Sequence, residues 1–130
     1  MKYSSKLFLI MVGLIVTSFV IACGGGETTV KIGLLSPQTG PIAVYAPGFE
    51  DAANVAITAL NDSQESHQFE LIVVDSGCDG TQAATSAQSL IDSGVVGIVG
   101  AACSGATLGA IAVAAPAGVP MVSYASTSPA

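Results

Sequence analysis

The chain has 130 residues, 51% of them apolar, with nine acidic side chains against three lysines, no arginine and a formal net charge of −6. Phosphate binding depends on Lys and Arg, so this balance argues against a nucleic-acid partner and against anionic lipid held through basic residues. Ala, Val, Ile, Leu and Gly dominate and aromatics are few (5%), a composition that suits a parallel sheet covered on both faces by helices. At the start of the chain, Lys2 and Lys6 precede an apolar stretch over 7–21, and Ala22-Cys23 is followed by Gly24, Gly25 and Gly26. A positive head, an apolar centre and a small residue before a cut predict a secretory signal over 1–22. The stretch is about 15 residues long, short of the about 20 that a membrane span needs.

The cysteine at the cut resembles the lipobox of bacterial lipoproteins. That resemblance implies that Cys23 becomes the first residue of the mature chain and carries lipid on its sulfur. The chain then works outside the cytoplasm, tethered to a membrane. Beyond Cys23 all nine acidic residues face a single base, Lys31. The remaining length suits one small domain with one core. With Cys23 assigned to lipid, Cys78 and Cys103 are left as a pair. An oxidising compartment favours their joining in a disulfide, and the alternative is two buried free thiols.

Residues 23–29 read as a flexible spacer. Residues 30–35 form a buried strand, and 36–47 an exit loop rich in Pro and Gly. From Gly48 a helix places Phe49, Ala52, Ala53, Ala56, Ile57 and Leu60 on one stripe, and Asn61-Asp62-Ser63 stops it. A polar turn over 63–68 leads to a second strand over 69–74. Residues 75–80 are a loop holding Cys78, in which Asp75 and Asp79 read as solvated residues rather than metal ligands. A second helix starts at Thr81 with Ala83, Ala87, Leu90 and Ile91 inward, and ends at Ser93-Gly94. A third strand covers 95–99. Ser104 caps a third helix whose inner stripe is Thr107, Leu108, Ile111, Ala112 and Ala115. Residues 120–124 form a fourth strand and 125–130 its exit loop.

Strands and helices alternate with short connections, which predicts an α/β doubly wound parallel sheet with right-handed crossovers. The last strand lacks the helix that should cover it, so residues 30–130 are expected to be part of a larger protein. Ligands of such sheets bind beyond the carboxyl ends of the strands. The exit loops there carry Ser36, Thr39, Ser104, Ser126, Thr127 and Ser128 and no Lys or Arg. Ser104 opens a helix, so it is either a plain cap or part of a carboxylate site that uses free N–H groups and the helix dipole.

Two enzymatic patterns come close. GAACSGAT over 100–107 follows a strand and opens a helix like a phosphate loop, but Ala106 stands where the lysine belongs. Ala102-Cys103-Ser104-Gly105-Ala106 has the outline of a nucleophile elbow. No base or acid follows it, and His67 precedes it in a polar turn. An exported serine hydrolase using Ser104 is therefore an alternative. No metal and no cofactor is expected.

At these loops the chain resembles the type 1 periplasmic substrate-binding proteins of ABC transporters, closest to the leucine/isoleucine/valine-binding branch. The segments that carry the resemblance are KIGLLSPQTGPIAVY (31–45), DSGCDGTQAA (75–84), VGIVGAACSGAT (96–107) and GVPMVSYASTSP (118–129). It implies that residues 30–130 are a partial N-terminal lobe, that the partner lobe lies elsewhere, and that the ligand is trapped between lobes. Ser104 would donate to the α-carboxylate of a branched-chain or related small amino acid or amide. The Ala125 carbonyl and the Thr127 hydroxyl would hold the α-ammonium, with Ser126 between them in the same loop. Tyr45 would line the side-chain pocket, and Cys78–Cys103 matches the family's disulfide. The partners implied are ABC permease subunits and, through the lipid anchor, a membrane. A sensory domain of the same fold is a further alternative.

Overall fold

A computed structural model describes residues 28–128. The expected signal over 1–22, Cys23, spacer residues 24–27 and residues 129–130 lie outside the described residues. The elements in order are β1 (Thr28–Ser36), α1 (Ala46–Asp62), β2 (His67–Asp75), α2 (Gly80–Asp92), β3 (Gly97–Val99), α3 (Ser104–Ala114) and β4 (Met121–Val122), with a 3-10 turn at Ala43–Tyr45 ahead of α1. Thr28 and Thr29 pair with His67 and Gln68, so these two residues belong to the sheet and not to the spacer.

All strands are parallel, in the order β2-β1-β3-β4. The chain winds outward from β1 to β2, then returns past β1 to β3 and β4. Strand order therefore reverses between β1 and β3, and a crevice opens beyond their carboxyl ends. Alternate residues of β1 serve opposite faces. Leu35 joins Ala83, Ala87 and Leu90 of α2, Ile98 of β3, and Ala106, Ala110 and Ala114 of α3 in one core. Leu34 turns the other way and lines an open apolar groove with Phe49, Ala52 and Ala53 of α1, Val99 and Tyr124. Since α1 packs on β1 and β2, Val122 of β4 stays 68% exposed on that face.

The α1 helix starts two residues before the expected Gly48, with Pro47 in its first turn, where a missing N–H costs nothing. Ala46 is its buried residue; Ala52, Ala56 and Leu60 of the expected stripe are exposed, because the helix lies over only half the sheet.

The inner stripe expected for α3 is overturned. Ala106, Ala110 and Ala114 are fully buried, while Leu108 is 49% and Ile111 42% exposed. The cause is the closeness of α2 and α3. A Cβ placed on Gly109 would overlap the Gly80 carbonyl oxygen at the start of α2, and one on Gly80 would lie 3.1 Å from the Gly105 carbonyl. Such an approach admits only small side chains, so the helix turns its alanine face inward. Gly109→Ala tests this. Alanine gains about 1 kcal/mol of helix propensity, but overpacking against backbone, which cannot swing away, costs up to about 3 kcal/mol. A net loss of about 2 kcal/mol is expected in urea unfolding; unchanged or raised stability would contradict the close crossing.

Candidate functional site

All four exit loops are tied to one another at the crevice, mostly through residues the sequence marks as polar. Cys103, not Ser104, is the N-cap of α3, with extended backbone (φ −90°, ψ 135°) and no side-chain cap. Ser104 is the first helical residue, which corrects the expected cap. Its Oγ instead accepts the backbone N–H groups of Thr127 (3.2 Å) and Ser128 (3.1 Å). A serine hydroxyl has two acceptor positions and one donor. Both acceptor positions are taken, so the remaining O–H is left to donate, beside the open N–H groups of a helix start.

The loop after β4 is held from within as well. Ser123 Oγ donates to the Ala101 carbonyl (2.8 Å) and accepts the Ser126 N–H (3.0 Å). The Ser126 hydroxyl lies 2.6 Å from Thr107 Oγ1 and also donates to Ala101 O (3.3 Å), so it faces inward. Ala125 and Thr127 remain exposed. Tyr45 ends the 3-10 turn, is 61% exposed, and contacts Phe49 with ring centroids 6.5 Å apart. Phe49 in turn lies 4.7 Å from Tyr124. The structure thus brings Ser104 directly to residues 127 and 128, and connects Tyr45 to the same loop through an aromatic row.

Cys78 and Cys103 are joined, with Cα atoms 5.3 Å apart. The bond links the residue before the α2 cap to the α3 cap itself. Asp75 and Asp79, read from the sequence as solvated residues, also carry hydrogen bonds that shape these loops. Asp79 is the N-cap of α2 and accepts the N–H groups of Thr81 and Gln82, both at 2.9 Å. An Asp just ahead of a helical run was a readable sign of this. Asp75 accepts from Thr39 N–H, Thr39 Oγ1, Gly77 N–H and Gln82 Nε2, and so clamps the β1 exit loop to the β2 exit loop.

Partial burial would push the Asp75 carboxyl up, but these hydrogen bonds together outweigh it and hold it below its ordinary 3.8. A carboxyl depressed on folding stabilises the fold above its unfolded value, and that contribution is lost as pH falls through the folded value. Solvent screening keeps the effect small at this exposed site. Asp75→Asn should lower stability at pH 7, and its deficit against the natural chain should shrink as pH falls from about 5 to 3. Parallel urea titrations check this; a deficit that grows toward acid would contradict the clamp.

Among the described residues Lys31 is the single cationic Lys or Arg, and its Nζ donates to the Ser93 carbonyl at the opposite, amino end of the sheet. An anion at the crevice therefore meets only neutral donors. The geometry does not favour hydrolysis by Ser104. His67 begins β2 and bonds Ser66, about 26 Å of strand away from the carboxyl ends at the standard rise.

The model of the periplasmic binding protein family matches residues 29–130. The chain belongs to that family. Its similarity to the leucine-, isoleucine-, valine-, threonine- and alanine-binding protein of Pseudomonas aeruginosa is 34% identity over 103 residues, covering 78% of this chain and 28% of that protein. Among solved structures, the branched-chain amino acid transporter substrate-binding protein LivJ of Streptococcus pneumoniae, in complex with isoleucine, superposes with a TM-score of 0.73 at 33% identity over 78% of this chain and 30% of that one. A solute-binding protein of an ABC transporter from Rhodopseudomonas palustris, in complex with 3,4-dihydroxybenzoic acid, gives 0.69 at 30% identity over 77% and 28%. The chain thus spans under a third of the length of these relatives. The α/β architecture with a parallel sheet expected from the sequence is the architecture of this family.

Proposed function

We propose that this chain is part of the first lobe of an extracytoplasmic substrate-binding protein that delivers an α-amino acid to an ABC permease. The observation that carries the proposal is the Ser104 hydroxyl, spent as an acceptor on the loop over 127–128 and left to donate at an uncapped helix start. A carboxylate there gains charge-assisted hydrogen bonds and a favourable helix dipole without any fixed cation. The Ala125 carbonyl and the Thr127 hydroxyl hold the α-ammonium a few ångströms away. A zwitterion suits such a site better than a bare anion, because neither of its charges is then left unpaired out of water.

Tyr45 and the apolar rim beside it receive an aliphatic side chain, which selects branched-chain amino acids. Ser126 serves from behind, by fixing the loop against Thr107. Support for the ligand class comes from the relatives whose names state binding of leucine, isoleucine and valine. A second lobe closes over the site, and lipid on Cys23 keeps the protein at the membrane surface, close to the permease.

Calorimetry of the complete protein against leucine, isoleucine, valine, urea and 3,4-dihydroxybenzoate tests the reading. Saturable binding of the branched-chain amino acids without turnover is expected. Binding of the aromatic acid alone, with no amino acid bound, would overturn the ammonium site.

A further inference from the structure

Tyr124 makes a connection that the ligand reading above does not use. β4 contains only Met121 and Val122, and its ladder bonds end with the Val122 carbonyl, which accepts the Gly100 N–H at 2.8 Å. Beyond it, the loop that carries Ala125 and Thr127 is fastened on its α3 side by Ser104, Thr107, Ser123 and Ser126. On its other side stands Tyr124. The Tyr124 hydroxyl donates to the Leu35 carbonyl at 3.0 Å, across 89 residues of sequence, just past Leu34↔Val99, where the pairing of β1 with β3 ends. Its ring rests on Phe49 of α1.

We infer that Tyr124 is a positioning residue for ammonium recognition: it anchors the Ala125–Thr127 loop to the end of β1 through its hydroxyl and to α1 through Phe49. This inference rests on the proposed function for its ligand and on geometry alone for the anchoring. With ties on both sides, the Ala125 carbonyl and the Thr127 hydroxyl are held at one height above the crevice. Released on the β1 side, the loop pivots about Ser104, and the ammonium acceptors move while the carboxylate donors do not. Burial, and after it the nearby Glu50 carboxylate, pushes the Tyr124 phenol up to about 12. The hydroxyl therefore remains a donor at any physiological pH. Glu50 is itself fixed by Ser36 Oγ at 2.7 Å and Gln38 Nε2 at 3.0 Å.

Tyr124→Phe keeps the ring and removes only the hydroxyl. In the ligand-free complete protein, the amides of Ser126, Thr127 and Ser128 should exchange with deuterium about tenfold faster, with α2 amides unchanged. Affinity for L-leucine should fall about tenfold, while competition by 4-methylpentanoate, which keeps the carboxylate and lacks the ammonium, should not change. Unaltered loop exchange would overturn the anchoring. Equal losses for leucine and 4-methylpentanoate would overturn the link to the ammonium. Should the natural protein bind no α-amino acid, the proposed function falls, and the exchange measurement still decides the role of Tyr124.

Discussion

Replacing Cys78 and Cys103 together with serine should lower the stability of the domain by about 3 to 4 kcal/mol. The two residues lie 25 apart in sequence, and closing a loop of that length restricts the unfolded chain by about this amount in the chain-entropy model. Local geometry decides how far the lesion spreads. Cys78 has φ +57°, in the left-handed region that costs a side-chain-bearing residue about 1 kcal/mol or more. Without its partner, residue 78 is free to leave that conformation, and the turn ahead of the Asp79 cap loosens with it. At the other end of the bond, Cys103 is the N-cap of α3, so the lesion reaches the residue next to Ser104. Thermal unfolding of the natural and doubly substituted proteins, each with and without reductant, checks this. The reduced natural protein should melt with the variant, well below the oxidised one. Coincident melting of all four samples would mean that the bond is not formed in solution.

Ser104→Ala should weaken L-leucine binding by about a hundredfold while changing stability by less than about 1 kcal/mol. Two losses add in the binding figure. The ligand carboxylate loses a hydroxyl donor, and hydrogen bonds to charged groups contribute about 1.5 to 3 kcal/mol. The Thr127 and Ser128 amides lose the acceptor that holds their loop over the site. Stability changes little because both amides sit on exposed residues where water replaces the serine oxygen. Calorimetric titration of the complete protein gives the first number and urea unfolding the second. A variant that binds leucine as tightly as the natural protein would remove Ser104 from the site.

The order of strands and helices was legible because apolar runs of strand length alternate with longer runs of helical period, separated by Gly, Pro, Asn and Ser. Boundaries were less so. β3 and β4 are shorter than their apolar runs: Val95 is spent on the core, and past Val122 the side chains of Ser123 and Tyr124 bond the Ala101 and Leu35 carbonyls in place of further ladder pairing. The inner face of α3 was illegible for a physical reason. The helix is apolar almost all round, so periodicity offers no contrast, and the decision falls to side-chain size at the contact with Gly80.

Within the site, Ser104 and Thr127 stood out by residue type and position, and the resemblance to a family supplied their roles. The geometry that joins them did not stand out, because it depends on contacts across 23 and 24 residues. Asp75 with Thr39 and Tyr124 with Leu35 lie farther apart still, and no local pattern marks either pair.

The most direct measurement is a crystal structure of the complete protein with L-leucine bound. One ligand carboxylate oxygen should lie about 3 Å from Ser104 Oγ, with the ammonium at a similar distance from the Ala125 carbonyl and Thr127 Oγ1. A leucine seated away from the start of α3, or turned so that its ammonium meets Ser104, would contradict the account.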